Sequence, residues 1–187
     1  MGALAKSAVM LVTLSIFTGL LYPLAMTVMA QAVFPSKANG SIIIKEGQPV
    51  GSVLIGQSFT NGRYFSSRPS AVDNDAANSG GTNYGGTNAE LEKQIAEKAA
   101  AVREANGWRQ DMPVPSVLVT NSSSGLDPHL TPEAAFCQVQ RIAKLRGLEI
   151  RQVRDLVAAH IEEPDLGVIG EARVNVLQLN LALDKLQ

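Results

Sequence analysis

Two short stretches of this chain carry residue types that could do chemistry. Ser79-Gly80-Gly81-Thr82-Asn83 places paired glycines directly after a serine. Such a turn can aim successive backbone N–H groups at one point, and a concavity of that kind holds phosphate oxygens. The simpler reading of the same string is a turn that uses glycine's conformational freedom. The second stretch is Ser124-Gly125-Leu126-Asp127-Pro128-His129, which holds a hydroxyl, a carboxylate and an imidazole. A hydrolytic triad needs more: a base oriented by a buried acid and touching the nucleophile, and an oxyanion hole. Three residues in one Gly/Pro loop rarely supply that. The string reads as a shaped turn entering a helix, with a membrane-anchored hydrolase as the remote alternative.

Other sites are missing or weak. No G-x-x-x-x-G-K-[ST] loop occurs, so there is no Walker nucleotide site. Cys137 is the single cysteine, which excludes an intrachain disulfide and a cysteine metal cluster. Its neighbours Ala135, Phe136 and Val139 mark it as a small core residue. No metal site is expected. His160 falls near a helix end, where an imidazole favours the negative dipole. The acidic Asp73 and Asp75 could draw cations locally, although solvated loop charge is the simpler account. Arg141, Lys144, Arg146, Arg151 and Arg154 form a basic run whose default reading is a solvated helix face. Docking on an acidic partner or on lipid headgroups is the sharper one. The formal charge of −1 gives no global pull toward nucleic acid.

The elements that must position these residues begin with a membrane segment. The chain has 187 residues, enough for one domain and a short appendage. No charge occurs between Lys6 and Lys37, and residues 8–30 are almost wholly apolar. About 20 apolar residues cross a bilayer core as a helix. Pro23 frees a backbone carbonyl inside this helix and predicts a kink. Ala30-Gln31-Ala32 offers a signal-cleavage pattern, but the apolar run exceeds a signal core, which favours a retained anchor. Ser15 and Gly19 make a small-xxx-small pair of the kind that admits a close helix neighbour. The flanking lysines barely decide orientation; the short N-terminus favours an inside N-terminus with the domain outside.

Residues 37–187 are expected to form a globular α+β domain behind the N-terminal segment 1–36. A hairpin spans residues 41–55, turning at Glu46-Gly47-Gln48-Pro49. A long Asn/Gly/Ser-rich loop covers residues 60–87, and loops of that length are functional or disordered. Thr87-Asn88-Ala89-Glu90 reads as a capping box with Thr87 as the cap. Leu91, Ile95, Ala99 and Val102 then give one apolar helical face, stopped at Asn106-Gly107. Residues 114–120 are a candidate buried strand. A second helix starts at Thr131-Pro132-Glu133 and ends at Gly147. A third covers residues 149–162, before Pro164. The alternating leucines 177, 179, 181 and 183 suggest a strand, while Asn175 followed by Gln178 suggests a capped helix, which we favour.

Several unusual strings occur in one order along nearly the whole chain. They are Leu21-Tyr22-Pro23-Leu24, Gly51-Ser52-Val53-Leu54-Ile55-Gly56-Gln57 and Tyr64-Phe65-Ser66-Ser67-Arg68-Pro69-Ser70-Ala71. Ser79-Gly80-Gly81-Thr82-Asn83, Val114-Pro115, Ser122-Ser123-Ser124-Gly125-Leu126-Asp127 and Thr131-Pro132-Glu133-Ala134-Ala135 follow. Val174-Asn175-Val176-Leu177-Gln178-Leu179-Asn180-Leu181-Ala182-Leu183-Asp184 closes the series. This set resembles the KdpC family, the C subunits of the bacterial KdpFABC potassium-transporting P-type ATPases.

The resemblance implies a non-catalytic accessory subunit of the inner membrane. Its implied partners are a channel-like potassium-binding subunit, a P-type ATPase subunit and a small membrane peptide. The Asp-Lys-Thr-Gly phosphorylation signature of P-type pumps is absent here, so this chain is not the energy-transducing one. It also implies a catalytic chaperone that raises the pump subunit's affinity for ATP, through a transient ternary complex. In that account Ser79, Gly80 and Gly81 would contact the nucleotide, although Thr82 stands where the related ABC-transporter signature has glutamine. A second implication places the domain outside, over the potassium entrance, away from cytoplasmic ATP. Influence on ATP use would then be conformational.

Overall fold

The computed structural model describes residues 2–186. Two compact units divide at Val50 and Gly51. The first is dominated by one long apolar helix, α1, Ala3–Val33, with 31 residues. At 1.5 Å per residue it is about 46 Å long, more than a bilayer core of about 30 Å requires. Pro23 cannot donate to the preceding turn, and the ladder widens just ahead of it into a π turn over Phe17–Leu21. The Tyr22 amide there reaches the Phe17 carbonyl. Thr18 and Thr27 fold their hydroxyls onto the carbonyls of Leu14 and Pro23, both at 2.8 Å, so their polar tips are satisfied within the helix. Strands β1 (Ile42–Lys45) and β2 (Gln48–Ser52) follow as a hairpin. Its turn is Glu46-Gly47, with φ of 54° and 78°, the mirror-image type that matches strand twist. The turn is thus two residues shorter than expected, and Pro49 lies within β2.

The second unit is α+β, as expected. Helix α2 (Ala89–Asn106) is capped by Asn88, whose Oδ1 accepts from the Glu90 and Leu91 amides at 2.8 and 3.4 Å. The cap is therefore Asn88 and not Thr87. Residues 114–120 are not a strand: Ser116–Leu118 form a 3₁₀ turn behind Pro115. Prolines at 113 and 115 remove ladder donors, while Leu118 and Val119 still reach the core. The helix foreseen from Thr131 to Gly147 is two. Helix α3 (Pro132–Phe136) is capped by Thr131, and after a turn at Cys137 and Gln138 comes α4 (Val139–Arg146). Helix α5 (Ile150–Ala159) carries a reciprocal capping box between Glu149 and Gln152. It stops short of residue 162, because Ile161–Glu162 are strand β4, paired with β5 (Arg173–Asn175). Strand β3 (His129–Leu130) lies on the other side of β5, giving an antiparallel order β3-β5-β4. Helix α6 (Val176–Leu183) is capped by Asn175 through the Gln178 amide at 3.1 Å and runs on into a 3₁₀ turn over Asp184–Leu186.

The core lies between this small sheet and helices α3 to α6, with Leu130, Ile142, Val153, Val157, Val174, Leu179 and Leu183 fully or almost fully buried. Phe65 joins it at 0 % exposure, although it lies in the loop of residues 60–87. Three side chains hold that segment. Asn180 accepts from the Phe65 amide at 2.9 Å and donates to its carbonyl at 3.0 Å. Gln138 does the same for Ser66, at 2.8 and 3.3 Å. Arg141 donates to the carbonyls of Gly62 and Tyr64 and to the side chains of Asn106 and Gln138. A buried backbone without ladder partners must find such donors and acceptors. The basic run therefore does not share one solvated face. Arg141 is buried, and Arg146 bonds the Arg63 carbonyl and Asp184 beneath the Tyr64 ring. Lys144, Arg151 and Arg154 remain exposed.

Candidate functional site

Both chemical stretches meet at one place. The turn at residues 122–125 lies against residues 69–80. The Ser122 amide donates to the Pro69 carbonyl, and Ser70 Oγ donates to the Gly125 carbonyl at 2.7 Å. The Gly80 amide and the Ser79 hydroxyl both donate to the Ser124 carbonyl, at 2.9 and 3.0 Å. Gly125 is required here. Its φ is +70°, and a Cβ would stand 2.5 Å from Val72 and 2.8 Å from the Gly80 carbonyl. A Cβ on Gly81 would similarly approach the Ser123 carbonyl to 2.9 Å. The glycines of both strings thus let two backbones touch.

Beside this seam is an open groove of about 690 Å³, lined by Arg68, Ser79, Gly80, Ser122–124 and Asp127 among others. Arg68 crosses it. One guanidinium nitrogen donates to Asp127 Oδ2 at 2.9 Å, another to the Asn121 carbonyl at 3.3 Å, and Nε is buried without a partner. Asp127 Oδ1 accepts from the His129 amide at 3.0 Å and faces its ring Nδ1 at 3.5 Å. Burial pushes the Asp127 carboxyl up, but the His129 ring and amide and the Arg68 guanidinium outweigh it, and it titrates at about 2.

The sequence missed Arg68. Its signal was available: it is the one cation between Arg63 and Lys93 in an Asn/Gly/Ser-rich stretch. As for a triad, Asp127 and His129 are joined, but Ser124 Oγ accepts from the Leu126 amide at 3.1 Å, and no Ser124–His129 hydrogen bond is found among the described residues. Ser124 acts as a turn residue. Asp73 and Asp75 are exposed, and Asp75 accepts from Ala77 and Asn78 within its own turn. His160 closes α5 with Nδ1 2.8 Å from the Leu156 carbonyl. No group of three or more His, Cys, Asp or Glu suited to a metal ion exists among the described residues.

The Arg68–Asp127 pair gives a pH prediction. A carboxylate whose folded pKa is depressed stabilises the fold above its unfolded pKa of about 3.9, and that stability is lost as pH falls through the folded value. Asp127→Asn should therefore cost up to about 2 kcal/mol near pH 7 and progressively less between about pH 4 and pH 2. Urea unfolding at stepped pH checks this; a constant gap between wild type and variant would show that the pair does not couple to folding.

An open groove crossed by one ion pair, in a chain that also carries one long apolar helix, describes a helix-led α+β protein built around a loop seam. The match with known proteins specifies which. Residues 4–185 match the family model described as "K+-transporting ATPase, c chain". The chain belongs to that KdpC family. It is 49 % identical to the potassium-transporting ATPase KdpC subunit of Koribacter versatilis, covering 98 % of this chain and 95 % of that one. It is 52 % identical to the Burkholderia ambifaria KdpC subunit, over 96 % and 94 % of the two chains. The subunit of Caldanaerobacter subterraneus is 48 % identical over 90 % and 87 %.

Proposed function

We propose that this chain is a non-catalytic accessory subunit of an ATP-driven potassium uptake complex. α1 anchors it in the membrane with the domain on the outer face. There it supports assembly and raises the ATP affinity of the P-type ATPase subunit without gripping the nucleotide itself. The observation that carries the conformational route is the use of the Gly80 amide and the Ser79 hydroxyl by Ser124. A phosphate cradle needs free donors, and here two of them already close the seam. A domain fastened in this way can still bias a partner's equilibrium by binding one of its conformations better than the other. The rival route, direct contact of ATP by Ser79, Gly80 and Gly81 in a ternary complex, would have to break those bonds. Shaping of potassium entry is a compatible second role, to which the exposed Asp73 and Asp75 would contribute local negative potential.

The test compares the purified complex with and without this chain. Removing it should raise the KM for ATP by about fivefold or more, with re-addition restoring it. An unchanged KM would reject the chaperone role. Protease added to intact spheroplasts should digest the domain after Phe34. Protection until lysis would place the domain inside and reinstate direct nucleotide contact.

A further inference from the structure

The hairpin that joins β4 to β5 presents apolar side chains to water. Leu166, Val168 and Ile169 are 90, 81 and 59 % exposed. They are held in place by their own backbone. Asp165 and Ile169 exchange amide and carbonyl in both directions at 2.9 Å, and Gly167 and Val168 donate back to Pro164 and Asp165. Leu166 is turned into the left-handed region, with φ of 55°, a conformation leucine disfavours. The fold thus holds a strained leucine on a closed turn with no cover from its own domain. Large apolar side chains clustered in this manner mark a contact surface.

The surrounding charge selects the partner. Residues 161–173 contain Glu162, Glu163, Asp165 and Glu171 against Arg173 alone, four negative charges and one positive, for a net of −3. Arg173 is engaged with Glu162 at 3.0 Å and Asp165 at 4.0 Å, and Glu163 and Glu171 have no ion-pair partner among the described residues. An anionic lipid surface repels such a rim. A second copy of this chain docking on the same knob would oppose two acidic rims. We infer that residues 166–169 are a docking knob that enters an apolar socket, rimmed by lysine or arginine, on a partner protein. Apolar anchors supply the affinity of such a contact, and the rim supplies orientation and salt dependence.

This inference rests on the reading that the chain works within a multi-subunit complex, and the experiment separates the two. A benzophenone-bearing residue is placed at Val168 of the full chain, expressed with its complex, and irradiated. One cross-linked product with a different protein is expected. Glu163→Lys combined with Glu171→Lys should lower its yield about tenfold at low salt and by less at about 0.5 M salt. A lipid adduct, an adduct between two copies of this chain, or no adduct in a complex that still co-purifies would overturn the docking knob. An undiminished yield in the double variant would overturn the basic socket. If the unmodified chain co-purifies with no partner, the multi-subunit reading falls, and this inference with it.

Discussion

Arg141→Ala is expected to cost the domain about 2–4 kcal/mol, from the loss of a buried side chain and from part-buried acceptors left without its donors at about 1 kcal/mol each. The guanidinium reaches two carbonyls, Gly62 and Tyr64, and two side-chain amides, Asn106 and Gln138. No carboxylate is among these partners, so neutral dipoles replace the water that burial removes. Burial accordingly pushes the Arg141 pKa down. Truncation leaves the Gly62 and Tyr64 carbonyls and Asn106 Oδ1 without this donor, whereas Gln138 Oε1 keeps the Ser66 amide. Arg141→Lys should recover only part of the loss, because one ammonium cannot reproduce a planar fork spread over four acceptors. Thermal unfolding of the full chain in detergent, followed through Trp108, checks both. A loss below about 1 kcal/mol in the alanine variant would mean that residues 62–66 are held by other means.

Phe65→Ala is expected to cost a similar amount, about 3–5 kcal/mol, by a different mechanism. The ring is fully buried in the core shared with Ile142, Leu179 and Leu183. Its deletion removes apolar contact and leaves a cavity whose walls cannot collapse, since Asn180 fixes the Phe65 backbone at both its amide and its carbonyl. Phe65→Leu, which keeps most of the volume, should lose less than about 1.5 kcal/mol. The same unfolding measurement distinguishes them. Equal losses for alanine and leucine would show that ring shape, not buried volume, decides the site.

These two residues mark where sequence reading stopped. The apolar helix, the α+β class, the Thr131 cap and the Asn175–Gln178 cap were legible, because each is set by residues within a few positions of one another. The strand expected at residues 114–120 was not there, because burial at Leu118 and Val119 was read as strand while Pro113 and Pro115 deny a ladder. The loop of residues 60–87 offered no periodicity, so its first part looked free of structure. Its partners lie far away: Arg141 reaches Tyr64 across 77 positions, and Asn180 reaches Phe65 across 115. Arg141 and Arg146 looked like surface charge for the same reason, since nothing local shows which carbonyls they serve. At the candidate site, both the Gly-rich string and the serine turn were visible from composition. That they meet each other, and spend their donors on each other, depends on contacts 45 positions apart.

The long reach between Phe65 and Asn180 also dictates an order of events during synthesis. A ribosome adding about 5–20 residues per second takes roughly ten seconds to travel from one to the other. Through that interval α1 is already made, while Phe65 lacks the Asn180 side-chain amide that will hold its backbone. The aromatic and its unsatisfied backbone stay open to solvent or to a chaperone until α6 has emerged. A chain released just before Asn180 would carry α1 to α5 yet keep that surface uncovered. Synthesis of α6 thus acts as the latch: a helix made late closes a segment of the core made early.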